Sequence, residues 1–117
     1  MSAHLKETEE VSIPSAEFAG VMEALDEVIH QKARLGIMST LLALGEADFK
    51  LLKESLGLSD GNLSTHLALL EERGYVDVRK EFRGRKPHTS ATPTEKGRVA
   101  FTEYLAALER IIKAAQR

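Results

Sequence analysis

Two clusters of side chains in this 117-residue chain have the types and spacing to do chemistry. The first is Gly61, Asn62, Ser64, Thr65 and Ala68, small or hydrogen-bonding residues that helical spacing sets opposite Leu63, Leu67 and Leu70, together with Ser59 at the helix start before them. A narrow polar face backed by a leucine stripe fits a DNA groove. Within it, Asn62 is the side chain best suited to an adenine edge. The second cluster is Arg83, Gly84, Arg85 and Lys86. Three cations around a glycine are denser than a solvated loop requires, and an arginine in a narrow minor groove gains from the negative potential there. The bland reading, ordinary exposed polar and charged residues, explains either cluster alone but not both together.

Other chemistry finds little support. Cysteine is absent, so disulfides, thiolate nucleophiles and thiolate metal sites are excluded. His4, His30, His66 and His88 have no ligand spacing, and no metal or cofactor is expected. His66 lies at the edge of the leucine face and is expected to pack rather than read bases. There is no glycine-rich phosphate loop after a strand and no serine with a plausible His and Asp partner, so no catalytic residue is assigned and the chain is not expected to be an enzyme. Glu71 and Glu72 are adjacent on a helix and point apart.

The formal net charge of −2 conceals a strong asymmetry. Residues 1–27 carry Glu7, Glu9, Glu10, Glu17, Glu23, Asp26 and Glu27 against Lys6, whereas residues 79–88 carry Arg79, Lys80, Arg83, Arg85 and Lys86 against Glu81. A basic end steers an anionic partner more than the total charge does. At 43% hydrophobic and 29% charged residues the composition is that of a soluble helical protein of one domain. No apolar run approaches the roughly 20 residues that cross a bilayer. No membrane association is expected, and the protein is expected in the cytoplasm.

The elements that must position these clusters can be taken in order. Residues 1–13 are acidic, lack periodicity and are expected to be mobile. Ser15 is a candidate N-cap, and Phe18, Val21, Met22, Leu25, Val28 and Ile29 form a helical stripe over about four turns. A second, central helix is predicted over 32–44, ended by Gly45, then a very short strand or turn at 46–49 and a third helix over 49–56. Gly57 can close that helix, Leu58 can fold back after it and Ser59 can cap the next, which runs over 59–73 to Gly74. Tyr75 to Phe82 alternates, with Val76, Val78 and Phe82 on one face, as a half-buried strand does. Residues 83–87 supply a turn and 88–92 the returning strand. Thr94 can cap a last helix bearing Val99, Phe101, Tyr104, Leu105, Leu108, Ile111, Ile112 and Ala115. The fold class is therefore mainly α with a small β-hairpin (α+β).

The two terminal stripes offer more apolar surface than one thin core can cover, which normally marks an interface. A two-fold homodimer is expected, sharing Phe18, Val21, Met22, Leu25, Phe101, Tyr104, Leu105, Leu108, Ile111 and Ile112.

The stretch LGLSDGNLSTHLALLEERGYVDVRK, the tip FRGRKP and the TEKGR that opens the last helix occur in register. Together they resemble the winged helix-turn-helix transcriptional regulators of the MarR and ArsR kind, over about residues 24–110. The resemblance implies a single winged-helix DNA-binding domain over 14–117, including N- and C-terminal dimerisation helices. It implies that Ser59 to Arg73 is the recognition helix, its N-terminal part in the major groove, and that Arg83, Arg85 and Lys86 reach the minor groove or backbone. One departure stands out: Ala91 and Pro93 occupy places where an aromatic and an aliphatic residue are expected, so the returning strand is expected to be short. The function implied is a sequence-specific, homodimeric regulator of double-stranded DNA with pseudo-palindromic sites, a repressor by occlusion rather than an activator. The alternative is a winged-helix protein–protein interaction module that never touches DNA. A cleft between the dimer helices and the DNA-binding lobe could hold a small apolar effector, which no residue identifies.

Overall fold

Short side chains and glycines punctuate the chain, and the computed structural model describes residues 15–116 of it. Helix α1 spans Ser15–Glu23, α2 Lys32–Leu44, strand β1 Ala47–Asp48, α3 Phe49–Leu56 and α4 Asp60–Glu72. Strands β2 (Val76–Arg83) and β3 (Lys86–Pro93) form a hairpin, and α5 runs from Glu95 to Ala115. Each start after α1 has a capping side chain: Gln31 accepts from the Arg34 amide at 3.0 Å, Asp48 from Leu51 at 2.8 Å, Ser59 from Asn62 at 3.1 Å and Thr94 from Gly97 at 2.9 Å. Gly57 closes α3 with φ +66°, and Leu58 donates its amide back to the Lys53 carbonyl at 3.0 Å. That is the glycine-terminated turn the sequence predicts between α3 and α4.

The core gathers around α2. Ile37, Met38 and Leu41 from that helix pack with Leu52 of α3, with Leu63, Leu67 and Leu70 of α4, and with Val76, Ala91 and Tyr104. The sheet is antiparallel with strand order β1-β3-β2. The fold is thus a winged helix, α+β, as predicted.

Four points of the predicted layout are settled by the structure, three of them as corrections. The stripe from Phe18 to Ile29 is not one helix, because α1 stops at Glu23. Asp26 Oδ1 accepts from the amides of Val28 and Ile29 at 2.8 and 3.1 Å, a local bonding pattern that replaces helical ones. Leu25, Val28 and Ile29 are nevertheless buried, from a turn. Second, residues 47–48, expected as a very short strand or a turn, are a strand, pairing Ala47 with Ala91 and Asp48 with Ser90.

Third, β3 is not short; it is eight residues long and central in the sheet. Gly84 and Arg85 form a two-residue loop between the closing pair Arg83 and Lys86. Such a closing pair exchanges hydrogen bonds, so alternate pairs beyond it do not. Pro87 opposite Phe82 and Pro93 opposite Val76 both fall on the non-bonded alternation, and β1 reaches neither. Their missing amides cost the sheet nothing. Fourth, Phe82 shares the face of Val76 and Val78 but is not covered there: it is 73% exposed, because the hairpin runs on beyond the helices. The acidic segment 1–13 and the capping role expected of Ser15 lie outside what is described.

Candidate nucleic-acid interface

Helix α4 turns one face inward and one outward. Leu63, Leu67 and Leu70 are buried, while Ser59, Gly61, Asn62, Ser64, Thr65 and Ala68 are all exposed. The Thr65 hydroxyl donates to the Gly61 carbonyl at 3.0 Å, leaving its lone pairs and methyl group for a partner. Ser59 Oγ is occupied as an acceptor by the Asn62 amide but keeps its own proton to donate. Asn62 and Ser64 have no side-chain partner among the described residues. Asp60, at the start of the helix, would repel phosphate; Lys53 Nζ lies 2.9 Å from its Oδ1 and offsets that charge.

The hairpin carries the cations. Arg83, Gly84, Arg85 and Lys86 are exposed at its tip, and Gly84 has φ +65°, the left-handed conformation that a two-residue loop needs. Arg83 and Lys86 are directly opposite across the strands. Like charges in that relation repel, so an anion bound between them relieves a strain the free protein carries.

Helix and hairpin share one open cleft of about 630 Å³, lined by Ser64 of α4, Lys50 and Lys53 of α3, and Lys80, Pro87, His88 and Thr89 of the hairpin, with the carboxylates of Asp48, Glu54 and Asp60 also in its wall. The sequence marks Asn62, Ser64, Thr65 and the tip but leaves Lys50, Lys53 and Lys80 out of the site. Lys50 and Lys53 sit on α3 and Lys80 on β2, so spacing along the chain gives no signal that they converge with α4.

Behind the recognition face, Arg34 of α2 donates Nε–H to the Val28 carbonyl at 2.6 Å and Nη1–H to His66 Nδ1 at 3.1 Å. Arginine only donates, so Nδ1 is the acceptor and the ring proton is assigned to Nε2. Burial, then the positive charge of Arg34, holds the His66 pKa below its ordinary value. His66 is half-buried. Its role is to join α4 to α2, as the packing expectation had it.

The terminal stripes are divided. Val21, Leu25, Phe101 and Tyr104 are covered by the chain's own core, and Leu108 and Ile111 are half-covered. Phe18, Met22, Leu105 and Ile112 stay exposed. His30 Nδ1 hydrogen-bonds with the Tyr104 hydroxyl at 2.8 Å, which fixes α5 against the 24–31 turn. Beside α1 a cleft of about 530 Å³ is lined by Met22, Glu23, Leu25, Asp26, Glu27 and Arg73. Its lining mixes two apolar side chains with four charged ones.

A polar helix face and a basic hairpin tip, with a cleft between helix and hairpin, on this topology, define the class of winged helix-turn-helix proteins. The chain belongs to the winged helix DNA-binding domain family, whose model matches residues 33–112. Its fold is that of the MarR-like transcriptional regulators. An uncharacterised protein of Methanocaldococcus jannaschii is 37% identical over 87 residues, 74% of this chain and 95% of that protein. The structure of a transcriptional regulator homologue from Pyrococcus horikoshii OT3 matches with a TM-score of 0.77 at 29% identity, over 87% of this chain and 99% of that one. YusO from Bacillus subtilis matches with a TM-score of 0.64 at 17% identity, over 97% and 82% of the two chains. No helix among the described residues is long and apolar enough to cross a membrane.

Proposed function

We propose that the protein is a sequence-specific transcriptional regulator that binds pseudo-palindromic duplex DNA as a homodimer and represses by occlusion. The observation that carries this reading is the shared cleft: Ser64 of the recognition helix and Lys80 of the wing face the same space. A recognition helix in the major groove and a wing against the adjacent backbone need that common side. Asn62, Ser64 and Thr65 read or position, and Arg83, Arg85 and Lys86 hold phosphate. An interaction module that never meets DNA has no use for the repelling pair at the wing tip.

Exposed Phe18, Met22, Leu105 and Ile112 support the dimer, as a reduced set of the surface the sequence marks. Two recognition helices would then meet half-sites about 10 base pairs apart. The mixed cleft beside α1 suits a small effector with an apolar body and a polar or cationic group. NadR, a fold match with a TM-score of 0.63 at 17% identity, was solved in complex with 4-hydroxyphenylacetate, which is in keeping with a small-molecule effector. The cytoplasm is the compartment where such a regulator would work.

The test is retention on random duplex DNA followed by selection of bound genomic fragments. Retention that falls with salt at a log–log slope of roughly −5 from two wings is expected. Absence of retention at low salt would overturn the reading, and light scattering showing a monomer at micromolar concentration would overturn the dimer.

A further inference from the structure

We propose that Phe82 and Pro87 form an apolar wedge that the wing presses into the minor groove, so that the protein reads how easily a base step opens. The proposal rests on the reading of the protein as a binder of duplex DNA. Phe82 is 73% exposed, more than any other large hydrophobic residue named among the described ones. Burial elsewhere in the chain does not explain it. Pro87 stands directly opposite it in the sheet register, and the non-bonded alternation they occupy brings side chains closest together. The two make one compact apolar projection on a hairpin that cannot flex at the proline.

Its direction follows from the pleat. Val76, Val78, Lys80 and Phe82 share a face of β2, because alternate residues of a strand point the same way. Val76 is buried against the helices, and Lys80 opens onto the cleft that contains Ser64. Phe82 therefore projects on the recognition helix's side, beyond it. Lys80 shares that face, and Arg83 and Lys86 follow at the tip on the opposite one. A second protein offering only an apolar pocket would leave those charges uncompensated; a duplex supplies both phosphates and an apolar stack. Apolar side chains pressed between base steps part them and kink the helix. Pyrimidine–purine steps yield readily, whereas A-tracts are stiff and hold arginine in their narrow groove.

The test compares two labelled duplexes of identical composition, one of alternating T and A, the other an uninterrupted A-tract. The wild-type protein should prefer the alternating duplex. Phe82→Ala should lose that preference and weaken by about tenfold on the alternating duplex. It should leave A-tract binding and the salt slope unchanged, which also shows that the variant is folded. Phe82→Leu should keep most of the preference. Phe82→Lys should weaken alternating-duplex binding, although a purely electrostatic wing would bind tighter with another cation. Equal binding of wild type and Phe82→Ala to both duplexes overturns the wedge alone. Failure of the wild type to bind either duplex overturns the wedge and the regulator reading together. Phe82-dependent retention on phosphatidylserine vesicles, with no effect on either duplex, overturns it in favour of a membrane contact.

Discussion

The Arg34 guanidinium donates to His66 Nδ1 at 3.1 Å, tying the central helix α2 to the middle of the recognition helix α4. The bond exists only while His66 is neutral, and burial followed by the charge of Arg34 favours that state. With the folded pKa below the ordinary 6.5, the unfolded chain takes up the proton first. The pair's contribution is therefore complete above about pH 6.5 and is lost as pH falls through the folded value. His66→Gln should flatten the decline in stability as pH falls below about 6.5, as followed by urea unfolding. An unchanged decline would show that other groups cause it.

Gly97 and Gly61 should respond to alanine in opposite ways. A Cβ on Gly97 would press into the Tyr75 backbone, whose carbonyl carbon would lie 2.9 Å away, at the junction where Thr94 Oγ1 also donates to the Gly74 carbonyl at 2.6 Å. Backbone cannot yield cheaply, so Gly97→Ala should cost about 3 kcal/mol or more. Gly61 has open space within the chain. Gly61→Ala should gain about 0.5 kcal/mol of helix stability yet weaken duplex binding, since the new methyl group stands on the exposed face. Thermal unfolding paired with a binding titration separates the two.

Holding and reading should separate by variant. Arg83→Ala with Arg85→Ala should weaken binding to all sequences and make the salt slope shallower by about 2 per wing. Stability should not fall, because a repelling cross-strand pair is removed. Asn62→Ala should leave the slope alone and lose about 1–3 kcal/mol of discrimination at one A·T pair. Titrations at several salt concentrations on selected and random duplexes would decide it.

Tyr75 donates its hydroxyl hydrogen bond to Asp26 Oδ2, joining the start of β2 to the 24–31 turn. Burial, then that bond, pushes the phenol up to about 12. The folded state thus keeps a proton that the unfolded chain releases near 10.0. Stability from this group is present below 10.0 and lost as pH rises towards 12. Tyr75→Phe should cost about 1 kcal/mol at neutral pH and remove the Tyr75 share of the alkaline decline. Urea unfolding across that range provides the check.

The amino-acid sequence by itself determined what is settled within a turn or two of chain. Gly57, Leu58 and Ser59 fix the turn before α4, Thr94 starts α5, and the Leu63, Leu67 and Leu70 spacing chooses the buried face of the recognition helix. Capping bonds and helical periodicity act between residues a few positions apart, so their outcome is legible in order. The basic tip was legible for the same reason. Tertiary structure decided the rest. Asp26 ends the helical stripe while held by Tyr75, 49 residues away, and β3 becomes central only because residues 47–48 come to pair with it. Lys50, Lys53 and Lys80 join the site only where three elements converge, and Phe82 is exposed only because the hairpin outruns the core. The terminal stripes show the same division: their periodicity is local, but packing alone assigns Val21 and Tyr104 to the chain's own core and leaves Met22 and Leu105 outside it.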